Sequence, residues 1–211
     1  EMEMFRDGSG PLYEFMKSIG RDMTDCGSET PLELFLGASG PRTAGKLERA
    51  LQRWIVAHLN ELVESDFELL KKCGAQFHVV HCPRSHDYFG HSRFPFERLR
   101  SLGLNICLGT DSLASNQSLS LFDEMRAFQK KFPGSSPQEI LQMVTVNPAR
   151  ALRRDNALGR IGPGFRADLI AIPIGAGNVH DGIIAFKDAV DWALLDGKEQ
   201  RKTAEPVTIL P

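Results

Sequence analysis

The chain has 211 residues, 42% of them hydrophobic, and its 25 basic side chains against 27 acidic ones leave a formal charge of −2. That length and apolar content allow one sizeable core and exclude a disordered protein. The balanced charge lacks the basic face that nucleic acid or an acidic membrane needs, and no apolar run approaches the roughly 20 residues of a membrane span.

The opening EMEMFRDGSG carries no initiator methionine and no signal-peptide pattern, and the expectation is a chain that begins partway through a larger, cytoplasmic protein. Pro11 to Ile19 places Leu12, Phe15, Met16 and Ile19 on one helical face, and Thr30 to Leu36 repeats the arrangement with Thr30 as N-cap and Pro31 in the first turn. Ala44 to Gln52 is weakly helical. Three strand-helix units then follow. Trp54 to Leu59 is a short strand-like run holding His58, before a helix over Val63 to Lys72. Gln76 to Cys82 is a strand holding His81, followed by a polar loop over residues 83–94 and a helix over Pro95 to Leu102. Asn105 to Leu108 is the third strand, with a helix over Leu119 to Lys131. Near-continuous apolar strands alternating with helices predict a parallel sheet, either doubly wound or part of a (β/α)8 barrel.

No GxGxxG or GxxxxGK[ST] follows any strand, which weakens a nucleotide-binding sheet. Instead His58, His81 and Asp111 stand at the C-terminal ends of the three strands, the face where barrels place their chemistry. Asp111, after Ile106-Cys107-Leu108 and Gly109-Thr110, is either a site carboxylate or the cap of the next helix. Further on, helices are expected over Ser136 to Val144 and Pro148 to Leu152. After the turn cluster Gly159 to Gly164 come short strands over Asp168 to Ile172, Ile183 to Phe186 and Val190 to Leu195, with Asp196-Gly197 as a hairpin turn. Residues 1–155 therefore read as a partial barrel, and 156–211 as part of a small β domain. Cys26, Cys73, Cys82 and Cys107 have no CxxC pairing and read as reduced thiols.

The motifs VAHLNEL, HVVHCPRSH, LGTDSLASN, the helix with Glu124-Met125-Arg126, NPARAL and LGRIGPGFRADLIAI, in that order, resemble the C-terminal half of the amidohydrolase superfamily, in its deaminase and chlorohydrolase branch. The resemblance implies a metal-dependent (β/α)8 barrel, represented here by roughly strands 6–8. It implies that Asp111 binds the catalytic metal and accepts a proton from the attacking water, and that His58 stabilises the tetrahedral intermediate. His81, His86, Ser112 and Asn116 become substrate-facing or loop-shaping residues, with core packing or helix capping as their plain alternatives. His86 stands where this branch commonly has Asn, and a second metal site from His86 and His91 is conceivable. The implied cofactor is one divalent metal, zinc before iron, held only if HxH and HxxE motifs precede this stretch. His58-Leu59-Asn60-Glu61 also spells HxxE, which leaves open a reading with His58 on the metal. The implied substrate is a small nitrogen heterocycle losing ammonia. A chlorohydrolase or amide hydrolase, and a non-catalytic barrel serving as scaffold, are the alternatives. Half a barrel exposes strand edges, so self-association into a homo-oligomer is expected.

Overall fold

The computed structural model describes residues 2–37, 54–74 and 77–200. The helix expected over Ala44 to Gln52 and the first residue of the strand expected from Gln76 lie outside these. The chain divides into two compact units, residues 1–79 with 91–105, and residues 80–90 with 106–211.

In the first unit, α1 (Pro11–Ser18) and α2 (Pro31–Gly37) each start at a proline, as the spacing predicts. Thr30 caps α2 reciprocally: its hydroxyl accepts the Glu33 N–H at 3.0 Å, and the Glu33 carboxylate accepts the Thr30 N–H at 2.7 Å. The Thr30 hydroxyl also donates to buried Asp66, whose other oxygen takes the Val63 N–H at the start of α3 (Glu64–Cys73). Strand β1 (Ile55–Ala57) is joined to the start of β2 (His78–His81) by the His78 N–H on the Trp54 carbonyl at 2.9 Å. Phe67, Leu70, Phe77, Phe96 and Leu99 form the buried centre of this unit, the last two from α5 (Phe96–Ser101).

The second unit begins with the end of β2. Residues 83–88, expected within a loop, are instead the short helix α4 (Pro83–Tyr88). Pro83 pre-sets its first turn, and the buried side chains of Ser85 and His86 fix it inward. Strand β3 (Asn105–Leu108) completes the order β1-β2-β3, with the Gly109 N–H donating to the His81 carbonyl at 2.9 Å. Helix α6 (Leu121–Lys131) starts at Ser120, whose hydroxyl accepts the Asp123 N–H, so neither Asp111 nor Asn116 caps it. Its acids in the first turn and lysines in the last complement the helix dipole. Met125 and Phe128 from α6, with Ile140 from α7 (Pro137–Gln142), are almost wholly buried.

Helix α8 (Val146–Ala151) is tied to β3 by Asn147, whose amide donates to the Ile106 carbonyl at 2.8 Å. Gly159 then passes so close to α8 that a Cβ would lie 2.8 Å from the Ala149 Cβ and 2.9 Å from the Thr145 carbonyl. A second sheet of order β4-β5-β6 follows, built from β4 (Leu169–Ala171), β5 (Trp192–Leu195) and β6 (Lys198–Gln200). Asp196 and Gly197 join β5 to β6 with φ of 53° and 74°, the paired positive values that a two-residue hairpin demands. The strand expected over Ile183 to Phe186 is instead part of helix α9 (Val179–Ala185). Asn178 decides the matter, its side chain accepting the N–H groups of His180 and Asp181 and so starting a helix before the apolar run begins.

Candidate active site

The candidate site is built where β2 and β3 end. Gly109 lets the chain leave β3 beside β2: a Cβ there would stand 2.8 Å from the Val80 Cγ1 and 3.3 Å from the Cys82 Sγ. Two residues on, Asp111 adopts φ 59°, in the left-handed region that costs most side chains but that Asp tolerates. Its carboxylate is exposed rather than desolvated in the strand mouth, because the turn carries it past the last core residue, Leu108.

Two hydroxyls orient that carboxylate, both through Oδ2. Ser85 Oγ lies 2.6 Å from it, Ser115 Oγ lies 3.0 Å from it, and the two hydroxyls are 2.9 Å apart. Two protons serve three contacts. The shortest contact takes the Ser85 proton, and the Ser115 proton is shared between Asp111 and Ser85. Both serines are buried, so Oδ2 of the carboxylate is held from the protein side.

Behind them lies a residue that the sequence motifs include without marking it as functional. Glu124 on α6 is fully buried, and its two oxygens accept from the Asn116 amide at 2.6 Å and from the Arg84 N–H at 3.0 Å. Burial pushes its carboxyl above the ordinary carboxylate range, while those two donors pull it back. Asn116 uses its remaining amide hydrogen on the Thr110 carbonyl at 2.8 Å. The guanidinium of Arg84 adds a bond to Ser118 Oγ at 2.8 Å and an ion pair with Asp123 at 3.1 Å. The Cys82 thiol is pushed up to about 11, first by burial and then by the nearby charges of Asp111 and Glu124. A signal for Glu124 was present in the spacing: with Met125 and Phe128 it occupies the apolar face of its helix, where an acid is out of place.

The other sequence-derived candidates divide. Asn116 is part of this network. Ser112 is exposed and accepts the Ala114 N–H at 3.3 Å, a bond local to its own turn. His81 is wholly buried, edge-on to His86 at 5.1 Å between ring centres and to Phe128 at 6.3 Å. His86 is likewise buried, on α4 rather than in a polar loop. In the first unit, His58 follows β1 with φ 67°, at the centre of a three-residue turn closed by the Leu59 N–H on the Ala57 carbonyl at 2.9 Å. Glu61 accepts from Ser92 Oγ at 2.6 Å and Ser92 N–H at 3.1 Å, and its carboxyl is held below the ordinary range by those bonds and by His91 at 3.4 Å. Of the two histidines weighed for a second metal, His91 lies beside Glu61 and His86 lies against His81.

As a metal centre the fit is partial. Asp111 suits one position, a hard carboxylate oriented by hydroxyls and open to solvent. Among the described residues no three or more His, Cys, Asp or Glu gather to hold an ion, and a catalytic zinc site uses about three protein ligands.

Strands alternate with helices, and the Asp111 carboxylate stands on a turn beyond the strand ends, the face at which (β/α)8 barrels place their chemistry. Residues 36–198 match the amidohydrolase family, and the chain belongs to it. A 5-methylthioadenosine/S-adenosylhomocysteine deaminase of Saccharophagus degradans is 35% identical over 65% of this chain, which spans only 29% of that relative's length. In fold, aminofutalosine deaminase of Helicobacter pylori superposes with a TM-score of 0.71 over 94% of this chain and 49% of its own, at 22% identity. An adenosine deaminase of Xanthomonas campestris with bound zinc gives 0.63 over 79% and 42%, at 26% identity. The fold is accordingly part of an amidohydrolase (β/α)8 barrel.

Proposed function

We propose that the protein carrying this chain is a metal-dependent aminohydrolase, in which water replaces an amino group on a nitrogen heterocycle and ammonia leaves. The observation that carries the reading is the exposed Asp111 carboxylate, lifted in the left-handed region and held through Oδ2 by Ser85 and Ser115. The first substrates to try are methylthioadenosine and S-adenosylhomocysteine, those in the name of the 35% identical relative. That name also favours ammonia over chloride as the leaving group.

A divalent metal, zinc before iron, would supply the Lewis acidity that makes water nucleophilic near neutral pH, with Asp111 as one ligand and the others from outside the described residues. Asp111 accepts the proton of the attacking water as the new C–O bond forms, and returns it to the departing nitrogen as the C–N bond breaks. His58 stabilises the charge that develops on the substrate between these events. Asn116 keeps the Asp111 turn in place by its bond to the Thr110 carbonyl.

Ammonia release by the full-length protein tests the reading. Asp111→Asn is expected to abolish turnover with an unchanged circular dichroism spectrum, and turnover at the wild-type rate would remove Asp111 from the chemistry. His58→Asn should slow turnover yet leave the zinc content intact. Zinc lost with His58 would make it a ligand instead. Chloride release from a chlorotriazine, with no ammonia from any nucleoside, would overturn the deaminase assignment.

A further inference from the structure

We propose that Glu124 is the positioning residue for Asp111, holding both sides of the Asp111–Ser85 hydrogen bond from the helix behind it. The inference rests on the reading of Asp111 as a metal-binding carboxylate.

The bonds around Glu124 close a ring. One oxygen accepts the Arg84 N–H, and the next residue, Ser85, donates to Asp111 at 2.6 Å. The other oxygen accepts from Asn116, whose same amide nitrogen donates to the carbonyl of Thr110, the residue just before Asp111. Each bond to Glu124 therefore ends one residue, or one side chain and one residue, away from the contact that orients Asp111. Release of either bond lets one side of that contact move relative to the other.

The ring also explains why the position holds an acid. A carboxylate offers two acceptor oxygens and no donor, which matches the two N–H groups facing it. Glutamine presents one acceptor and one NH2, so its NH2 must face either Arg84 or Asn116. If Asn116 turned its amide over to receive that NH2, its oxygen would meet the Thr110 carbonyl and that bond would break. An amide thus opens the ring at one link whichever way it turns. An apolar residue would open two, leaving the Arg84 N–H and one Asn116 hydrogen without acceptors on the buried side. Burying the acid carries a cost, visible as its raised carboxyl, and α6 carries it on a face otherwise built from Met125 and Phe128.

The test is a cycle of zinc affinities on the full-length protein, stripped of metal and titrated with zinc against a chromophoric chelator. Glu124→Gln should weaken zinc binding by about tenfold or more, the usual consequence of losing a group that orients a ligand. Asp111→Asn should also weaken it. In the Asp111→Asn background, Glu124→Gln should add less than about threefold, because its effect passes through Asp111. An equal loss in both backgrounds would mean general loosening and would overturn the proposal, as would wild-type affinity in Glu124→Gln. Unchanged affinity in Asp111→Asn would show that Asp111 is not a ligand, and the underlying reading would fall first. Should Glu124→Gln not fold, Asn116→Ala opens the ring at another link and carries the same expectation. Wild-type zinc affinity in folded Asn116→Ala would be equally fatal.

Discussion

Ser85→Ala removes the shorter of the two hydroxyl contacts on Asp111, and its cost follows from three distances. A hydroxyl donating to a carboxylate at 2.6 Å makes a charge-assisted bond, of a kind worth roughly 1.5–3 kcal/mol. Two features reduce that figure. Asp111 is exposed, so water replaces the lost donor, and Ser115, at 3.0 Å, can commit its shared proton wholly to Oδ2. The stability loss should therefore be about 1 kcal/mol, read as a lower denaturation midpoint at unchanged slope. The effect on turnover should be larger, because water restores hydration but not orientation: about 1.4 kcal/mol of lost transition-state alignment is a tenfold fall in kcat. Ser115→Ala, removing the longer contact, should cost less in both measures. The double variant should lose more than the sum, since each single variant leaves the other hydroxyl to compensate. Strict additivity, or a Ser85→Ala enzyme with kcat within about twofold of wild type, would refute the shared-proton arrangement.

Two further outcomes are expected. Gly109→Ala should destabilise by about 1–3 kcal/mol, because the new methyl would meet the Val80 side chain at 2.8 Å, and a neutral melting temperature would show that β2 yields there easily. Glu124 sets a pH dependence. Its folded carboxyl is raised above the ordinary 4.5, so between that value and the raised one the folded state keeps a proton that the unfolded state has lost. Stability should fall as pH rises through that window in wild type, and Glu124→Gln should lack this slope. Parallel pH-stability curves for the two proteins would contradict the raised value.

What the sequence could convey depended on how local the signal was. Asp196-Gly197 carries its turn in two residues, and the hairpin is there with both φ values positive. Thr30 and Ser136 each stand at the start of an expected helix, and each side chain accepts the N–H three residues on. The strand-end residues His58 and Asp111 were marked by polar groups closing apolar runs, and both prove to be left-handed. The failures were segments settled by tertiary partners or by a competing cap. Residues 83–88 look polar enough for a loop, yet α4 is held by Glu124 and Asp123, about forty positions later in the chain. Ile183 to Phe186 has strand composition, but a short apolar run cannot be told from a buried helix by periodicity, and Asn178 had already started one. Glu124 went unmarked as a site residue because an acid on a helix is ordinarily solvated. Its role depends on Arg84, forty residues earlier, which no periodicity reveals.

Three near-adjacent residues of α6 each anchor a different segment. Asp123 pairs with Arg84, Glu124 receives Asn116, and Arg126 donates to the carbonyls of Ile184 and Phe186 at the end of α9. Successive helical residues point about 100° apart, so all three anchors depend on one angular phase. A single residue inserted into the first turn of α6 would turn every anchor downstream of it away from its partner at once. The exposed stretch 112–114 keeps a spacing of its own, because it sets Ser115 and Asn116 for their bonds to Asp111 and to the Thr110 carbonyl. Insertions and deletions should therefore be poorly tolerated all the way from Asp111 into the first turns of α6, although 112–114 lie at the surface.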